Sequence, residues 1–341
     1  MQLFKGKREL LARALGRPLL KPLVRAFGEP GLMGLTYHRI CDFDVLDQGV
    51  ISASLEEFDW QCGFMKDTVR VLSADEVTRV ARGQLELREP SAIITFDDGY
   101  LDNLEAGRIL ARHGLPAIFF VTTGFIGTDT ITHWDRIAYS TRRTEVPTLH
   151  IAALGDGHGP WTIAVIPSDH AARAIRKLYH SLPTTLHDRF IDAVEQAAGV
   201  AAKDAHRDTP LFMGWEHVRE LRGLGHAIGA HTHSHPILSK LTDDEQRAEI
   251  ERSRDDILRE TGVAPTLLAY PNGKPWTFTP TTKALARDCG FQAAFSFYGG
   301  YNSPHELDAF DIKRGWVSPE ESRDLFRARV MFPQLLSKHT A

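Results

Sequence analysis

Two adjacent carboxylates follow a short apolar run in the first third of the chain. Residues 92–96 are mostly apolar and partly β-branched and lie between Pro90 and Gly99, which predicts a buried strand of a parallel sheet. Asp97 and Asp98 come directly after this strand. Because neighbouring side chains point apart, one carboxylate could bind a metal ion while the other reaches a metal-bound water. Alternatively, one of them caps the following helix and the other is solvated.

Three histidines follow a second small apolar run, more than a hundred positions downstream. The run is residues 227–230, and the histidines are His231, His233 and His235. If the segment turns into a helix, the first and third histidines share one face and the second points elsewhere. Two imidazoles with a carboxylate such as that of Asp98 suit a divalent transition metal, with open positions for water and substrate.

These segments resemble the first two motifs of the NodB-like polysaccharide deacetylases, carbohydrate esterase family 4, in an exopolysaccharide or lipopolysaccharide-type branch. The matching phrases are Thr95-Phe96-Asp97-Asp98-Gly99 and His231-Thr232-x-x-His235-Pro236. Further similar phrases extend over residues 35–317. The resemblance implies that Asp97 is the catalytic base and that Asp98, His231 and His235 hold the metal.

The third motif of the family is only partly present. It is normally Arg-x-Pro followed by an aromatic residue, but here Ala269 stands at the arginine position and Asn272 at the aromatic one. The resemblance implies that the arginine orients Asp97, so its absence leaves the base without its usual support. Arg314 ends another strand-like run and could supply a guanidinium from there; a surface arginine is the alternative. The Asn272 N–H could still serve as an oxyanion donor.

The last family motif, which carries a histidine as general acid, has no convincing counterpart. The phrase Tyr37-His38-Arg39-Ile40 resembles an early segment of the exopolysaccharide branch, whose histidine lies at the mouth of the active site. His38 is therefore the first candidate for the general acid, because an unperturbed imidazole titrates near neutral pH. His305 is the second candidate. A hydrogen-bonded core histidine is the alternative interpretation of His38.

Apolar strands alternate with amphipathic helices along most of the chain. A helix is predicted from Leu55 to Lys66, with Ser54 and Glu57 at the spacing of a capping box, and another over residues 101–112. This alternation favours parallel strands with right-handed crossovers, whose carboxyl ends collect the chemistry. The predicted fold is an α/β distorted (β/α) barrel of the NodB type, with about seven strands and a helical insertion.

The predicted barrel domain covers residues 31–330, interrupted by an insertion at about 127–211 that does not follow the strand and helix alternation. The candidate substrate contacts in the insertion and the barrel are Tyr100, Trp134, Tyr270 and Pro271. For Trp134, hydrophobic packing is the alternative.

The composition of the 341 residues is that of a globular protein, with 43% hydrophobic and 25% charged residues. A formal net charge of -4 gives no general attraction to nucleic acid, and three cysteines without metal-type spacing argue against a disulfide framework. Residues 1–30 are a basic amphipathic segment without the apolar core of a secretory signal. They could lie on an anionic membrane or pack on the barrel, and we expect a cytoplasmic protein, at the inner face of the membrane in the first case.

The predicted function is metal-dependent hydrolysis of an N-acetyl group on a sugar of a polysaccharide or glycolipid precursor. Zinc is the expected metal, and cobalt, nickel, manganese and iron are compatible with the same ligands. The expected partners are an acetylated glycan substrate, no nucleic acid, and an anionic membrane through the N-terminal segment. The rival hypotheses are a catalytically inactive carbohydrate-binding relative and an iron oxygenase with a two-histidine, one-carboxylate site.

Overall fold

The computed structural model describes residues 13–20, 24, 28–42, 46–155, 157–205 and 209–336. The predicted N-terminal segment lies mostly outside these residues. The chain divides into two compact units. The first unit contains Met1–Asp42, Ile51–Thr128 and Phe212–Ala341, and the second contains Phe43–Val50 and Asp129–Leu211.

The strands lie mainly in the first unit. In chain order they are β1 (Gly31–Tyr37), β2 (Arg39–Ile40), β3 (Ile51–Ala53), β4 (Arg70–Val71), β5 (Pro90–Phe96), β6 (Ile118–Val121), β7 (Thr148–Ile151), β8 (Trp161–Ala164), β9 (Ala227–Ala230), β10 (Leu267–Ala269), β11 (Ala293–Phe295), β12 (Tyr301–Asn302) and β13 (Gly315–Trp316).

One sheet organises the first unit. Its continuous path is β11-β10-β9-β6-β5-β1-β12, while β4 joins β5 and β13 joins β1. The pairs are parallel except for β12 against β1. The longest pairing aligns all seven residues of β1 with β5, so that Tyr37 faces Phe96 at their carboxyl ends. This register places the residues after both strands at one edge of the sheet.

Residues 312–316 connect β11, at one end of this strand order, with β1, the strand next to the other end. Ile312 forms a bridge to Phe295 of β11, and Gly315 pairs with Leu35 of β1, both in the parallel direction. The predicted distorted α/β barrel of about seven strands is therefore confirmed, with seven strands on the continuous path among the described residues. Arg314 lies between the two connections, which directs attention to the residues that its side chain reaches.

Apolar side chains pack on both faces of the sheet, as expected for strands covered on both sides. On β6, Phe119 stacks on Phe96 in the core cluster that includes Tyr37, whereas Phe120 packs on the other face with Phe295. Alternate residues of a strand point to opposite faces, so these neighbouring phenylalanines serve different cores. The sheet is held from both sides, which fixes the strand ends that carry the polar residues.

Helices follow most of the strands. In chain order they are α1 (Leu55–Thr68), α2 (Ala74–Ala81), α3 (Asn103–His113), α4 (His133–Arg143), α5 (Ser168–Ser181), α6 (His187–Ala198), α7 (Trp215–Gly223), α8 (Asp243–Thr261), α9 (Pro280–Asp288), α10 (Arg323–Met331) and α11 (Pro333–Leu336).

Helix caps explain several of these boundaries. The Ser54 hydroxyl accepts from the Glu57 N–H at the start of α1, but the Glu57 carboxylate pairs with Arg323. Only half of the predicted capping box is therefore present. The N-cap residue of α3 is Asp102. Neither Asp97 nor Asp98 caps this helix, so the capping alternative for the paired carboxylates is wrong.

The second unit has its own core. An antiparallel pair, β7 with β8, and the helices α4, α5 and α6 bury a cluster that includes Ile137, Leu149, Ile175 and Phe190. The sequence pattern of this region predicts a short strand near residues 161–166 and helices over about 168–181 and 184–198, which correspond to β8, α5 and α6, but it does not indicate α4 or β7. Both missed elements carry charged or exposed residues, which weakens their apolar periodicity. Within the described residues, no helix has the length and apolar composition needed to cross a membrane.

Candidate metal and catalytic site

Asp97 is buried at the end of β5 and is held by a buried arginine. Its two carboxylate oxygens accept from Nη1 and Nη2 of Arg314 at 2.7 and 2.9 Å. Arg314 also donates to the Thr95 hydroxyl at 2.9 Å and to the Ser296 carbonyl at 3.2 Å. The fork of the guanidinium matches the carboxylate and fixes its plane. Arg314 thus contacts Asp97, the predicted base, although the third motif has Ala269 at the position where the family has an arginine.

The ion pair also decides the charge of Asp97. Burial by itself would raise the pKa of this carboxyl, but the charge and hydrogen bonds of Arg314 and the neighbouring His231 bring the pKa below its usual value. Asp97 is therefore an anion at neutral pH. A buried carboxylate that stays ionised can accept a proton.

Three possible ligand atoms cluster beside this pair. They come from Asp98, His231 and His235 and all lie within 4.8 Å of one another. Oδ1 of Asp98 is 3.5 Å from Nε2 of each histidine. One oxygen and two imidazole nitrogens at this spacing could coordinate a single divalent cation, and they leave coordination positions for additional ligands.

The chemistry of His231 fits this use. Its Nδ1–H donates to the Ala269 carbonyl at 2.8 Å, which leaves the Nε2 lone pair on the side of Asp98. Burial lowers the pKa of His231 although Asp97 and the Ala269 carbonyl act in the opposite direction, so the ring is neutral at neutral pH. A metal-ligating histidine is neutral and usually donates its other N–H to such an acceptor. The ligand residues present therefore fit a divalent metal.

The histidine loop is not helical, contrary to the premise of the i, i+4 argument. Thr232 and His235 have φ values of 63° each, and the Thr232 hydroxyl accepts from the His235 N–H at 3.1 Å. Two left-handed residues turn the chain so that the rings of His231 and His235 lie 5.0 Å apart between centroids. The two histidines meet through a tight turn, a geometry that the spacing alone does not indicate.

The middle histidine of this loop has a different set of partners. Nδ1 of His233 lies 3.2 Å from a carboxylate oxygen of Asp256 and 3.0 Å from the hydroxyl of Thr123. The backbone N–H of His233 donates to the Glu249 carboxylate. His233 is therefore tied to helix α8 and is not among the clustered ligand atoms. It provides a natural control for the two others.

His38 lies next to Asp97 in the sheet. It follows Tyr37, whose carbonyl accepts from the Asp97 N–H at 3.0 Å, and its ring lies 5.8 Å from the Phe297 ring between centroids. Burial lowers the pKa of His38 to about 4, more than the nearby Asp97 raises it. The argument from an unperturbed pKa is therefore wrong, because the ring is neutral at pH 7. His305 is exposed.

Asn272 lies in the turn after β10, three residues beyond the carbonyl that orients His231. Its φ of 59° is left-handed, a conformation that asparagine adopts more readily than most residues. Among the residues that the structure describes, its N–H has no backbone acceptor. An N–H without an acceptor at this edge of the sheet is compatible with the oxyanion role that the sequence predicted.

The aromatic residues predicted to contact substrate are buried instead. Tyr100 is fully buried and stacks on Phe212, and Tyr270 stacks on Phe278 and donates to the Phe310 carbonyl. Their side chains have no surface to offer to a sugar. The rings were misassigned because a tyrosine beside a motif looks the same in sequence whether it packs inwards or outwards.

The other two predicted substrate contacts are also inside. Pro271 is buried at the start of the turn after β10. Trp134 belongs to the second unit, where it is 9% exposed and lies edge-on to His133 at 4.7 Å. Trp134 has the packing role that was the alternative.

The sequence analysis missed residues that hydrogen-bond to Arg314 and to the backbone of the candidate site. Thr95 accepts from Arg314 while its own hydroxyl donates to the Leu35 carbonyl at 2.8 Å. Asn103 donates to the His38 carbonyl at 2.6 Å. These are short polar side chains on buried elements, and only the presence of a polar residue at a core position could have indicated them.

The fold and the site together define a class of protein: an α/β barrel with a two-histidine, one-carboxylate cluster and an adjacent arginine-held carboxylate at the carboxyl edge of its sheet. A search of family models matches residues 160–294 to the polysaccharide deacetylase family. This range contains His231 and His235, whereas the paired carboxylates and Arg314 lie outside it.

Known proteins resemble the chain in sequence over a short stretch and in fold over most of its length. Peptidoglycan-N-acetylglucosamine deacetylase of Bacillus cereus is 39% identical over 57 residues, which cover 17% of this chain and 21% of that protein. The matched stretch therefore spans about a fifth of this relative.

Two solved structures share the fold. IcaB from Ammonifex degensii has a TM-score of 0.57 and 20% identity, covering 89% of this chain and 98% of that one. The deacetylase PplD of Streptococcus pyogenes, solved with acetate, has a TM-score of 0.55 and 18% identity, covering 87% and 97%. Residues 160–294 therefore resemble the polysaccharide deacetylase family, and the fold of the chain is similar to that of these two solved structures.

Substitution of His235 should remove metal binding, whereas substitution of His233 should not. We expect His235→Asn to weaken metal affinity by more than about 100-fold, because it removes a ligand, not only a residue that supports one. Asparagine tolerates the left-handed backbone at this position. His233→Asn is the matched control, and the bound metal is measured by mass spectrometry of the dialysed proteins. Equal metal content in the two variants would contradict the ligand assignment.

Proposed function

We propose that this protein is a metal-dependent deacetylase that hydrolyses the N-acetyl group of a sugar in a polysaccharide or glycolipid precursor. The observation that carries the proposal is the position of an ionised, arginine-held Asp97 directly beside the ligand cluster of Asp98, His231 and His235. A base next to a cation site suits the activation of water. The match to polysaccharide deacetylases supports an acetylated glycan as the substrate class.

Asp98, His231 and His235 would hold the cation, and zinc is the metal we propose. A divalent cation in such a site polarises a carbonyl and lowers the pKa of water. Asp97 takes the proton of the attacking water, and Arg314 keeps its carboxylate in place and ionised before the attack. The Asn272 N–H donates to the oxygen on which negative charge develops.

The leaving amine needs a proton, and the neutral state of His38 constrains its source. With a pKa of about 4, His38 does not hold that proton in the resting site at pH 7. It can serve as the general acid only if its basicity rises during the reaction. The proton that Asp97 has taken up is the other available one, so in the proposal Asp97 delivers it to the amine and returns to its anionic state.

The rival functions receive less support from the molecule. An iron oxygenase with this ligand set would usually have a jelly-roll of antiparallel strands, whereas the sheet here is almost entirely parallel. The hypothesis of a catalytically inactive relative is based on Ala269, which stands where the family motif has an arginine. Because Arg314 contacts Asp97 from another segment, that absence no longer favours an inactive protein. Because the segment Tyr37-His38-Arg39-Ile40 resembles the exopolysaccharide branch of the deacetylases, we also propose that this protein belongs to that branch.

Metal removal provides the direct test. We expect the purified protein to release acetate from N-acetylglucosamine oligomers, to lose nearly all of this activity after treatment with a chelator, and to regain it with added Zn²⁺. Cobalt, nickel, manganese and iron are added in parallel to identify the effective metal. Acetate release that persists in fully metal-free protein would refute the metal-dependent mechanism. Sugar binding without any acetate release would favour the inactive relative.

A further inference from the structure

The loop after β10 places a lysine at the same edge of the sheet as the candidate site. Residues 271–277 form this loop, and Lys274 is its half-buried cation. The Lys274 carbonyl accepts from both the N–H and the hydroxyl of Thr277 at 2.9 and 2.8 Å. These two bonds fix the backbone at the lysine.

The lysine is connected to the site through one aromatic ring. Its Nζ lies 5.4 Å from the centroid of Phe297, and the same ring is in edge contact with His38 at 5.8 Å. The Phe297 N–H donates to the Gly273 carbonyl at 2.7 Å. A Cβ on Gly273 would lie 2.6 Å from the Phe297 nitrogen, so the loop and the ring are closely packed. The ammonium therefore lies at the ring of Phe297, which is also the ring that contacts His38.

The described residues do not balance the charge of this lysine. Among the described residues, Lys274 has no ion-pair partner, whereas Lys283 has two carboxylates. Burial lowers the pKa of Lys274, which indicates that its ammonium has lost part of its hydration. Its attraction to the Phe297 ring compensates for this only in part. An anion is the ligand that a partly desolvated ammonium binds best.

We infer that Lys274 recognises an anionic group, a phosphate or a carboxylate, carried by the substrate next to the acetylated sugar. This inference rests on the proposed function, because it assigns Lys274 to the substrate of the same site. The anion lies over the His38 and Phe297 side of the site while the acetamide faces Asp97 and the ligand cluster. A neutral polymer of N-acetylated sugars would leave the lysine unused.

The test measures binding and is independent of turnover. The affinities of the zinc-loaded protein for three probes are measured by calorimetry: methyl N-acetylglucosaminide, N-acetylglucosamine 1-phosphate and N-acetylmuramic acid. We expect at least one charged probe to bind about tenfold more tightly than the neutral one. Selective binding of the phosphate probe assigns a phosphorylated substrate, and selective binding of the other charged probe assigns a carboxylated one. The preference should decrease as salt is raised from ~0.05 to ~0.5 M.

Variants locate the preference at the lysine. Lys274→Gln should abolish the ratio between charged and neutral probes, and Lys274→Arg should retain most of it, because it keeps the charge. Lys66→Gln is the matched control, since Lys66 is an exposed lysine in the last turn of α1 without an ion pair among the described residues. Circular dichroism confirms that each variant is folded.

The outcomes separate this inference from the proposed function. An unchanged ratio in Lys274→Gln, or equal weakening of all three probes, would overturn the inference. Acetate release with no preference for charged probes would also overturn it while leaving the deacetylase proposal intact. Conversely, Lys274-dependent binding of a charged probe without acetate release from any substrate would refute the deacetylase proposal and retain the anion site.

Discussion

Asp97→Asn should lower acetate release by about 10³-fold while the metal content stays that of the unaltered protein. Asparagine is nearly isosteric and can still accept from Arg314, but it cannot take a proton from water. Asp97 is not among the clustered ligand atoms, and its closest oxygen is 4.0 Å from Nε2 of His231. The loss should therefore appear in kcat more than in KM.

The neighbouring carboxylate supplies the matched control for this experiment. Asp98→Asn makes the same chemical change one residue later, and asparagine tolerates the φ of 74° at that position. We expect this variant to lose its metal, because Oδ1 of Asp98 is the oxygen in the ligand cluster. Metal analysis and acetate assays are performed on both proteins. Metal loss in Asp97→Asn with retention in Asp98→Asn would mean that the two roles are exchanged.

Arg314→Met should destabilise the fold by about 3–5 kcal/mol in addition to reducing activity. The change removes one partner of a buried ion pair and leaves the Asp97 carboxylate without its cation. It also removes the guanidinium that donates hydrogen bonds to the Thr95 hydroxyl and the Ser296 carbonyl. Urea denaturation of the metal-free protein measures the free energy of unfolding. A loss below about 1 kcal/mol would show that the pair is not needed for stability.

Two further variants separate the effect of charge from that of packing. The double variant Asp97→Asn with Arg314→Met removes both charges, and we expect it to recover most of the stability lost in the single arginine variant. Arg323→Met breaks the exposed pair with Glu57 and should cost no more than about 1 kcal/mol. If the double variant is as unstable as Arg314→Met, the loss comes from the packing of the arginine and its hydrogen bonds to Thr95 and Ser296, and not from the unpaired charge.

The sequence alone determined the kind of chemistry and the kind of fold. The alternation of apolar strands with helices is a local pattern, and it predicted the parallel, distorted barrel because burial on both faces requires continuous apolar strands. The paired carboxylates and the spaced histidines follow strands, and the carboxyl ends of parallel strands meet at one edge. Residue types and strand order therefore predicted that Asp98 and the histidines lie at one edge of the sheet, whereas the tight turn that brings His231 and His235 together was not predicted.

Only the tertiary structure decided what these residues contact and how they are charged. Arg314 meets Asp97 from a segment more than two hundred positions away, because residues 312–316 join β11 to β1. The low pKa of His38 and the inward orientation of Tyr100 are results of burial. Burial and long-range pairing depend on how all the elements pack together, and a local pattern of residue types carries no information about which of two orientations a side chain takes.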